Sequence, residues 1–175
     1  MNNLCRPLSI PVPFFKDYFD KKKYSTARHQ LLDRNEISSE YVKWIESLGL
    51  ILDHAEVFFS IPHTYYPIHQ DHHTRIDFPK INFIYGGSNS VMNWYKVKPG
   101  KIGTMSETKI DTPYVGYAPD EVELLYSKEL QSPSLVQAGV PHNVTVNSPR
   151  WCVSTVYLYP DRRLLSWSDA EKIFG

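Results

Sequence analysis

The sequence predicts a mainly β protein: a barrel, sandwich or jelly roll with a few flanking helices. Three observations carry that prediction. Between residues 55 and 160 the chain falls into about eight short runs rich in β-branched and aromatic residues, divided by turn residues. Nothing alternates long helical stretches with strands, as a parallel α/β sheet would require. Hydrophobic residues make up 42% of the chain and aromatics 14%, enough for a packed core and too much for a disordered segment.

In chain order, the part up to about residue 52 reads as helical. Its opening, "MNNLCRPLSIPVPFF", has no apolar run of signal-peptide length and carries Arg6 and prolines. The basic run at 21–28, "KKKYSTAR", is flanked by Asp17, Asp20 and Asp33 and reads as a solvated face. The clearest helix is 38–49: Ser38 or Ser39 caps it, Tyr41, Trp44, Ile45 and Leu48 form one apolar stripe, and Gly49 suits its end. Strands are expected at 55–61, 64–69, 81–85, 92–97, 114–118, 134–140, 142–146 and 150–159. "NSP" (147–149) reads as a tight turn joining the last two as a hairpin. The segment 98–133 is mixed in charge and poorly patterned, and is expected to fold over the mouth of the barrel and select the substrate. A short helix at 168–174 closes the chain. A single domain over 1–175 is expected.

Composition narrows the function. Nineteen basic and nineteen acidic residues leave no net charge, which argues against a global field for nucleic acid or anionic membrane. No run of 18 apolar residues is present, so no membrane span is expected. Cys5 and Cys152 are far apart and without CxxC spacing, which fits reduced thiols in a cytoplasmic protein.

The chemistry concentrates in "PIHQDHH" (67–73). In an extended strand His69 and Asp71 point to the same side. His-x-Asp alone recurs by accident, and two ligands seldom hold a divalent metal. His142, opening a predicted strand after "GVP", is the best third ligand. Two imidazoles and one carboxylate on one side of a metal match the facial arrangement of non-haem Fe(II) oxygenases, which leaves three positions open. Arg150 follows His142 by eight residues and begins the next strand. Its planar guanidinium can grip a carboxylate through two parallel hydrogen bonds. Ser154 lies on the same face of that strand.

"HQD" (69–71) followed by "HNVTVNSPRWCVSTVYLY" (142–159) resembles the 2-oxoglutarate- and Fe(II)-dependent oxygenase superfamily over roughly residues 55–160. The stretch "RIDFPKINFIYGG…NWY" (75–95) is similar in texture to its prolyl hydroxylase-like and aspartyl/asparaginyl hydroxylase-like branches. The resemblance implies a double-stranded β-helix, a cupin-like jelly-roll barrel with the metal in its mouth. It implies that His69, Asp71 and His142 bind iron, and that Arg150, with Ser154 beside it, takes the distal carboxylate of 2-oxoglutarate. Tyr85 or Asn82 would reach that cosubstrate from a neighbouring strand. They point to opposite faces, so at most one does so, with Tyr85 favoured. The implied reaction consumes O2 and 2-oxoglutarate, releases succinate and carbon dioxide, and hydroxylates an unactivated C–H bond of a small polar molecule, amino acid or peptide. An intact Asp71 argues against halogenation.

Further residues are placed with less chemistry behind them. Arg75, Trp94 and Tyr95 are candidate substrate contacts, although core or loop roles suit them as well. Cys152 shares the face of Arg150 and should line the interior. His72 and His73 are expected at the rim, or with His63 as an alternative zinc set. Two rival classes stand beside the oxygenase: a cupin-like metal enzyme that does not use 2-oxoglutarate, and a non-catalytic β-sandwich binding module.

Overall fold

The structure is a computed structural model and describes residues 4–12, 19, 26–72 and 74–175. Residues 21–25 of the basic run, and His73, lie outside the described residues. Among the described residues the chain forms two antiparallel six-stranded sheets and two α-helices. In chain order these are β1 (Cys5–Pro7), β2 (Arg28–Leu31), α1 (Ser39–Ser47), β3 (Ile51–Ser60) and β4 (Ile68–Gln70). Next come β5 (Pro79–Gly86), β6 (Val91–Val97), β7 (Thr104–Glu107), β8 (Pro113–Tyr117) and β9 (Val122–Lys128). The chain finishes with β10 (Ser134–Gln137), β11 (His142–Thr145), β12 (Arg150–Leu158) and α2 (Trp167–Phe174). The first sheet runs β1-β10-β5-β12-β3-β2 and the second β7-β8-β4-β11-β6-β9.

Pleating gives the first sheet two unlike faces. Ala55, Val57 and Phe59 of β3, Ile81 and Phe83 of β5, and Trp151, Val153 and Tyr157 of β12 all belong to one large apolar cluster. Helices α1 and α2 cover that cluster with Tyr41, Ile45, Trp167, Ala170 and Phe174. Ser38 caps α1 by accepting from the Tyr41 amide at 3.5 Å, and Ser166 does the same for α2 from Asp169 at 3.2 Å. Two phenols stay satisfied inside this core: Tyr41 and Tyr157 share a hydroxyl contact of 2.6 Å, and Tyr157 meets Thr155 at 2.6 Å. The alternate residues of the same strands, Lys80, Asn82, Arg150, Cys152 and Ser154, line a cavity between the sheets, with Glu56 on the same face as Lys80 and paired to it. The principal core therefore lies behind the first sheet, and the space between the sheets is left for polar side chains.

A smaller cluster closes one side of that space, with Met92 and Trp94 of β6 against Val136 of β10. Phe78, Ala138 and Val156 form a third cluster near the start of β5.

Three expectations are corrected. The last two predicted strands do not pair as a hairpin. β11 pairs with β4 and β6 in the second sheet, whereas β12 pairs with β3 and β5 in the first, so the 146–149 turn crosses from one sheet to the other. The N-terminal part is not mainly helical among the described residues, since strands β1 and β2 precede α1, its one α-helix. The 98–133 segment is not a loose connection: it holds β7, β8 and β9, of which β7 and β9 edge the second sheet. The tip between β7 and β8 still reaches the first sheet, where the Thr112 hydroxyl donates to Glu56 at 3.5 Å. No helix among the described residues is long and apolar enough to cross a membrane.

Candidate metal and anion site

His69 on β4 and His142 on β11 are directly opposed in the ladder, so their rings rise side by side with centroids 4.5 Å apart. Asp71 follows β4, and its amide donates to the Ala138 carbonyl at 3.0 Å, which brings its side chain between the sheets. Asp71 Oδ1 lies 3.2 Å from His69 Nε2 and 4.0 Å from His142 Nε2. The three ligand atoms fall within 4.8 Å of one another, and this is the one such group of histidine, cysteine or carboxylate side chains among the described residues. Ligands on one face of an octahedral ion with bonds of about 2.1 Å sit about 3 Å apart, so small side-chain adjustments would close this set around a cation.

Each imidazole is oriented by its own backbone. His69 Nδ1 lies 2.9 Å from the Pro67 carbonyl and His142 Nδ1 2.9 Å from the Val140 carbonyl, two residues back in both cases. A proton on Nδ1 leaves the Nε2 lone pair directed at the common point, as when a backbone carbonyl fixes the tautomer and orientation of a metal-binding histidine.

Charge at the cluster is set by a lysine that sequence reading missed. Lys80 Nζ bridges Asp71 Oδ2 at 2.9 Å and Glu56 Oε2 at 2.8 Å, with the lysine and the glutamate both buried. Burial penalises the charge of Asp71, but Lys80 and the two histidines outweigh it and hold the carboxyl well below its ordinary range. In Glu56 burial is likewise outweighed, chiefly by Lys80, and the carboxyl falls to about 2. For Lys80 itself the two carboxylates overcome burial and raise its pKa. Burial and then the neighbouring His69 lower His142 to about 4, so its imidazole is neutral at neutral pH and free to offer a lone pair. His69 moves the other way, because its contact with Asp71 outweighs burial.

A pH dependence follows for the metal-free protein. His142 titrates near 6.5 when unfolded and about 4 when folded, so its contribution is present above pH 6.5 and lost as pH falls to about 4. Glu56 adds stability that is present above pH 4.5 and lost as pH falls towards about 2. His69, with its raised folded pKa, opposes this by favouring the fold at lower pH. Urea midpoints are expected to fall progressively from pH 7 to pH 4, and Glu56→Gln is expected to flatten the part of that fall below pH 4.5. A midpoint independent of pH in this range would contradict the assignment.

At the other end of the cavity stands Arg150. It is 5% exposed and has no carboxylate partner among the described residues. Its neighbours are the Cys152 thiol and Tyr66; burial raises the pKa of both, and the Arg150 charge partly offsets this. Gly87, at φ +77°, lets the arginine chain pass: a Cβ there would lie 2.7 Å from Arg150 Cγ. Ser154 donates to Asn82 Oδ1 at 2.8 Å, which leaves the Asn82 amide hydrogens for the cavity. The void between the histidines and Arg150 measures about 70 Å³, well below the ~300–1,000 Å³ of drug-sized sites.

The structure thus brings together His69, Asp71, His142, Arg150, Ser154, Asn82 and Cys152. Four other candidates lie elsewhere. Tyr85 is on the opposite face of β5 from Asn82, packed on Phe19 at 4.4 Å, so the preference for Tyr85 is reversed. Trp94 is wholly buried in the second cluster and donates to the Gln137 carbonyl at 3.0 Å. Tyr95 points to the other face of β6 and donates to Asn143 at 3.1 Å. Arg75 clamps Asp77 at 3.1 and 3.2 Å and donates to the Leu164 carbonyl, which is a structural tie. His72 packs near Phe78 and contacts Thr74, and the alternative zinc set with His63 includes His73, which lies outside the described residues.

No protein-family model matches the chain, and a comparison with curated proteins returns no match.

Proposed function

We propose that this chain is an Fe(II)- and 2-oxoglutarate-dependent oxygenase of double-stranded β-helix type, hydroxylating a small polar molecule, amino acid or peptide. The observation that carries the reading is the buried Arg150 without a carboxylate, facing the His69–Asp71–His142 cluster across a narrow cavity. A buried guanidinium left unpaired is costly, and a site that retains one is built for an anion. A cation-binding triad at one end and an anion-binding arginine at the other suit a ligand that chelates through one end and is anchored by a carboxylate at the other.

His69 and His142 offer Nε2 lone pairs and Asp71 offers Oδ1, and the donor set suits Fe(II). Bound Fe(II) would supply the oxygen chemistry. The protein's own part is placement. Arg150 fixes the distal carboxylate, Asn82 offers amide hydrogens beside it, and Cys152, Val136 and Met92 wall the cavity and limit water. Charge supports the same occupant. Asp71 and Glu56 against Lys80 and Arg150 sum to zero, so a divalent cation and a dicarboxylate enter together without leaving net charge behind.

The test is an anaerobic titration of the Fe(II)-loaded protein with 2-oxoglutarate, reading the visible charge-transfer band of the chelate. Wild type should develop the band, and Asp71→Ala should lose it together with iron affinity. An iron-bound, folded wild type without a band would overturn the assignment and favour the cupin-like metal enzyme. Failure to bind any divalent metal would favour the binding module.

A further inference from the structure

The geometry points to Lys80 as a positioning residue that restricts Asp71 to coordination through one oxygen. A metal held by His69, Asp71 and His142 then keeps three positions open. This rests on the metal reading above and deepens it.

A carboxylate binds a divalent ion through one oxygen or two. Asp71 Oδ1 faces both imidazoles, whereas Oδ2 is occupied by Lys80 Nζ at 2.9 Å. For Oδ2 to join the metal, the Lys80 contact would have to break inside the protein, where an unpaired ammonium is costly. Lys80 is also held from the other side. Glu56 accepts from it at 2.8 Å, and Glu56 in turn meets His29 at 3.6 Å and the Thr112 hydroxyl at 3.5 Å. The lysine therefore cannot follow a carboxylate that rotates towards the ion.

The coordination arithmetic gives this a purpose. An octahedral ion with two imidazoles and one carboxylate oxygen keeps three positions, enough for a bidentate chelate and one small molecule. A second carboxylate oxygen would leave two, which the chelate alone would fill. Glu56 serves the same end electrostatically. Lys80 alone would cancel the charge of Asp71 and weaken its hold on a cation. With Glu56 included, the three side chains retain one negative charge beside the ion.

The test uses Zn(II)- and Fe(II)-loaded protein labelled with carboxyl-¹³C aspartate, read by metal-minus-apo infrared difference spectroscopy. The gap between asymmetric and symmetric carboxylate stretches is wider for one-oxygen than for two-oxygen coordination. Wild type should show the wide gap. Lys80→Met should show a narrowed gap with metal still bound. Because Lys80→Met leaves Glu56 buried without its ammonium partner, the double variant Lys80→Met/Glu56→Leu is measured beside it and should narrow equally. A narrow gap in wild type, a wide gap retained in the folded variants, or folded variants that bind no metal would each overturn the inference. Metal binding with a wide wild-type gap but no 2-oxoglutarate band would overturn the oxygenase reading and leave the inference about Lys80 standing. Absence of metal binding in wild type would overturn both.

Discussion

Arg150→Met is expected to weaken 2-oxoglutarate binding by about two to three powers of ten, and at the same time to make the ligand-free protein more resistant to urea. The two effects have one cause. Truncating one partner of a buried, hydrogen-bonded charge pair costs about 2–5 kcal/mol, and that is the interaction Arg150 would form with a distal carboxylate. Without ligand, the same guanidinium is buried with no carboxylate to meet it, so an apolar side chain of similar reach removes a penalty. Calorimetric titration of the anaerobic metal-loaded protein reads the first effect and urea unfolding of the ligand-free protein reads the second. Metal affinity should be unchanged, since Arg150 is not among the grouped ligands. Gly87→Ala provides a second route to the same end. Its new Cβ would press on Arg150 Cγ and strain a backbone at φ +77°, displacing the guanidinium without removing its charge. Binding that survives both substitutions would mean that the anion is held elsewhere.

The second large effect is expected at the Glu56–Lys80 pair, where the two residues are 2% and 6% exposed. Lys80→Met alone is expected to destabilise the metal-free protein by about 3–5 kcal/mol, because it leaves Glu56 as a buried uncompensated carboxylate. Lys80→Met/Glu56→Leu is expected to recover at least half of that loss, since no unpaired charge then remains on β3. Asp71 keeps its contact with His69 in both variants. A double-mutant cycle by urea unfolding measures the coupling directly. Additive effects of the two substitutions would show that the pair is not energetically linked, whatever its 2.8 Å separation.

The interior strands of this protein are legible in its sequence and the edge strands are not. The strands absent from the sequence reading are β1, β2, β7 and β9, which are the two edges of each sheet. The reason is physical. An edge strand has no neighbour on one side, and here β2 and β7 are largely exposed, so neither carries the alternation that a half-buried strand shows. β9 likewise mixes Val122 inward with exposed Glu123, Leu124 and Leu125. Pairing was also hidden at "NSP": a short turn specifies that the chain reverses, not whether its second arm returns to the same sheet.

Within the site, the order of residues along β5 held more than was drawn from it. Ile81, Phe83 and Tyr85 form one apolar row, which assigns Tyr85 to the helix-covered core and leaves Lys80 and Asn82 on the other face. The same pattern in β3 sets Glu56 apart from Ala55, Val57 and Phe59. The available signals were Glu56 as the one charge within the expected strand 55–61, and Lys80 as the one charge in β5, immediately before the expected 81–85. Their pairing with each other, from residues twenty-four positions apart, depends on the sheet order and had no local signature. The candidate metal group was recognisable because His-x-Asp depends only on pleating, whereas the direct opposition of His69 and His142 depends on register.

Strand β12 carries core residues and site residues at alternating positions and sits between β3 and β5, with every position buried. Its amides are therefore tied to the most cooperative unit of the molecule and should exchange with solvent only on near-global opening. Arg150, the proposed anion anchor, accordingly resides in the part of the protein that should yield last. His69 instead belongs to the three-residue β4, which borders β8, itself paired with the largely exposed edge strand β7. Occupation of the site would then register mainly as slowed exchange in β4, β8 and β11, while β12 would read the same filled or empty. A ligand at the proposed site would then act on the mobility of one sheet against a more rigid other.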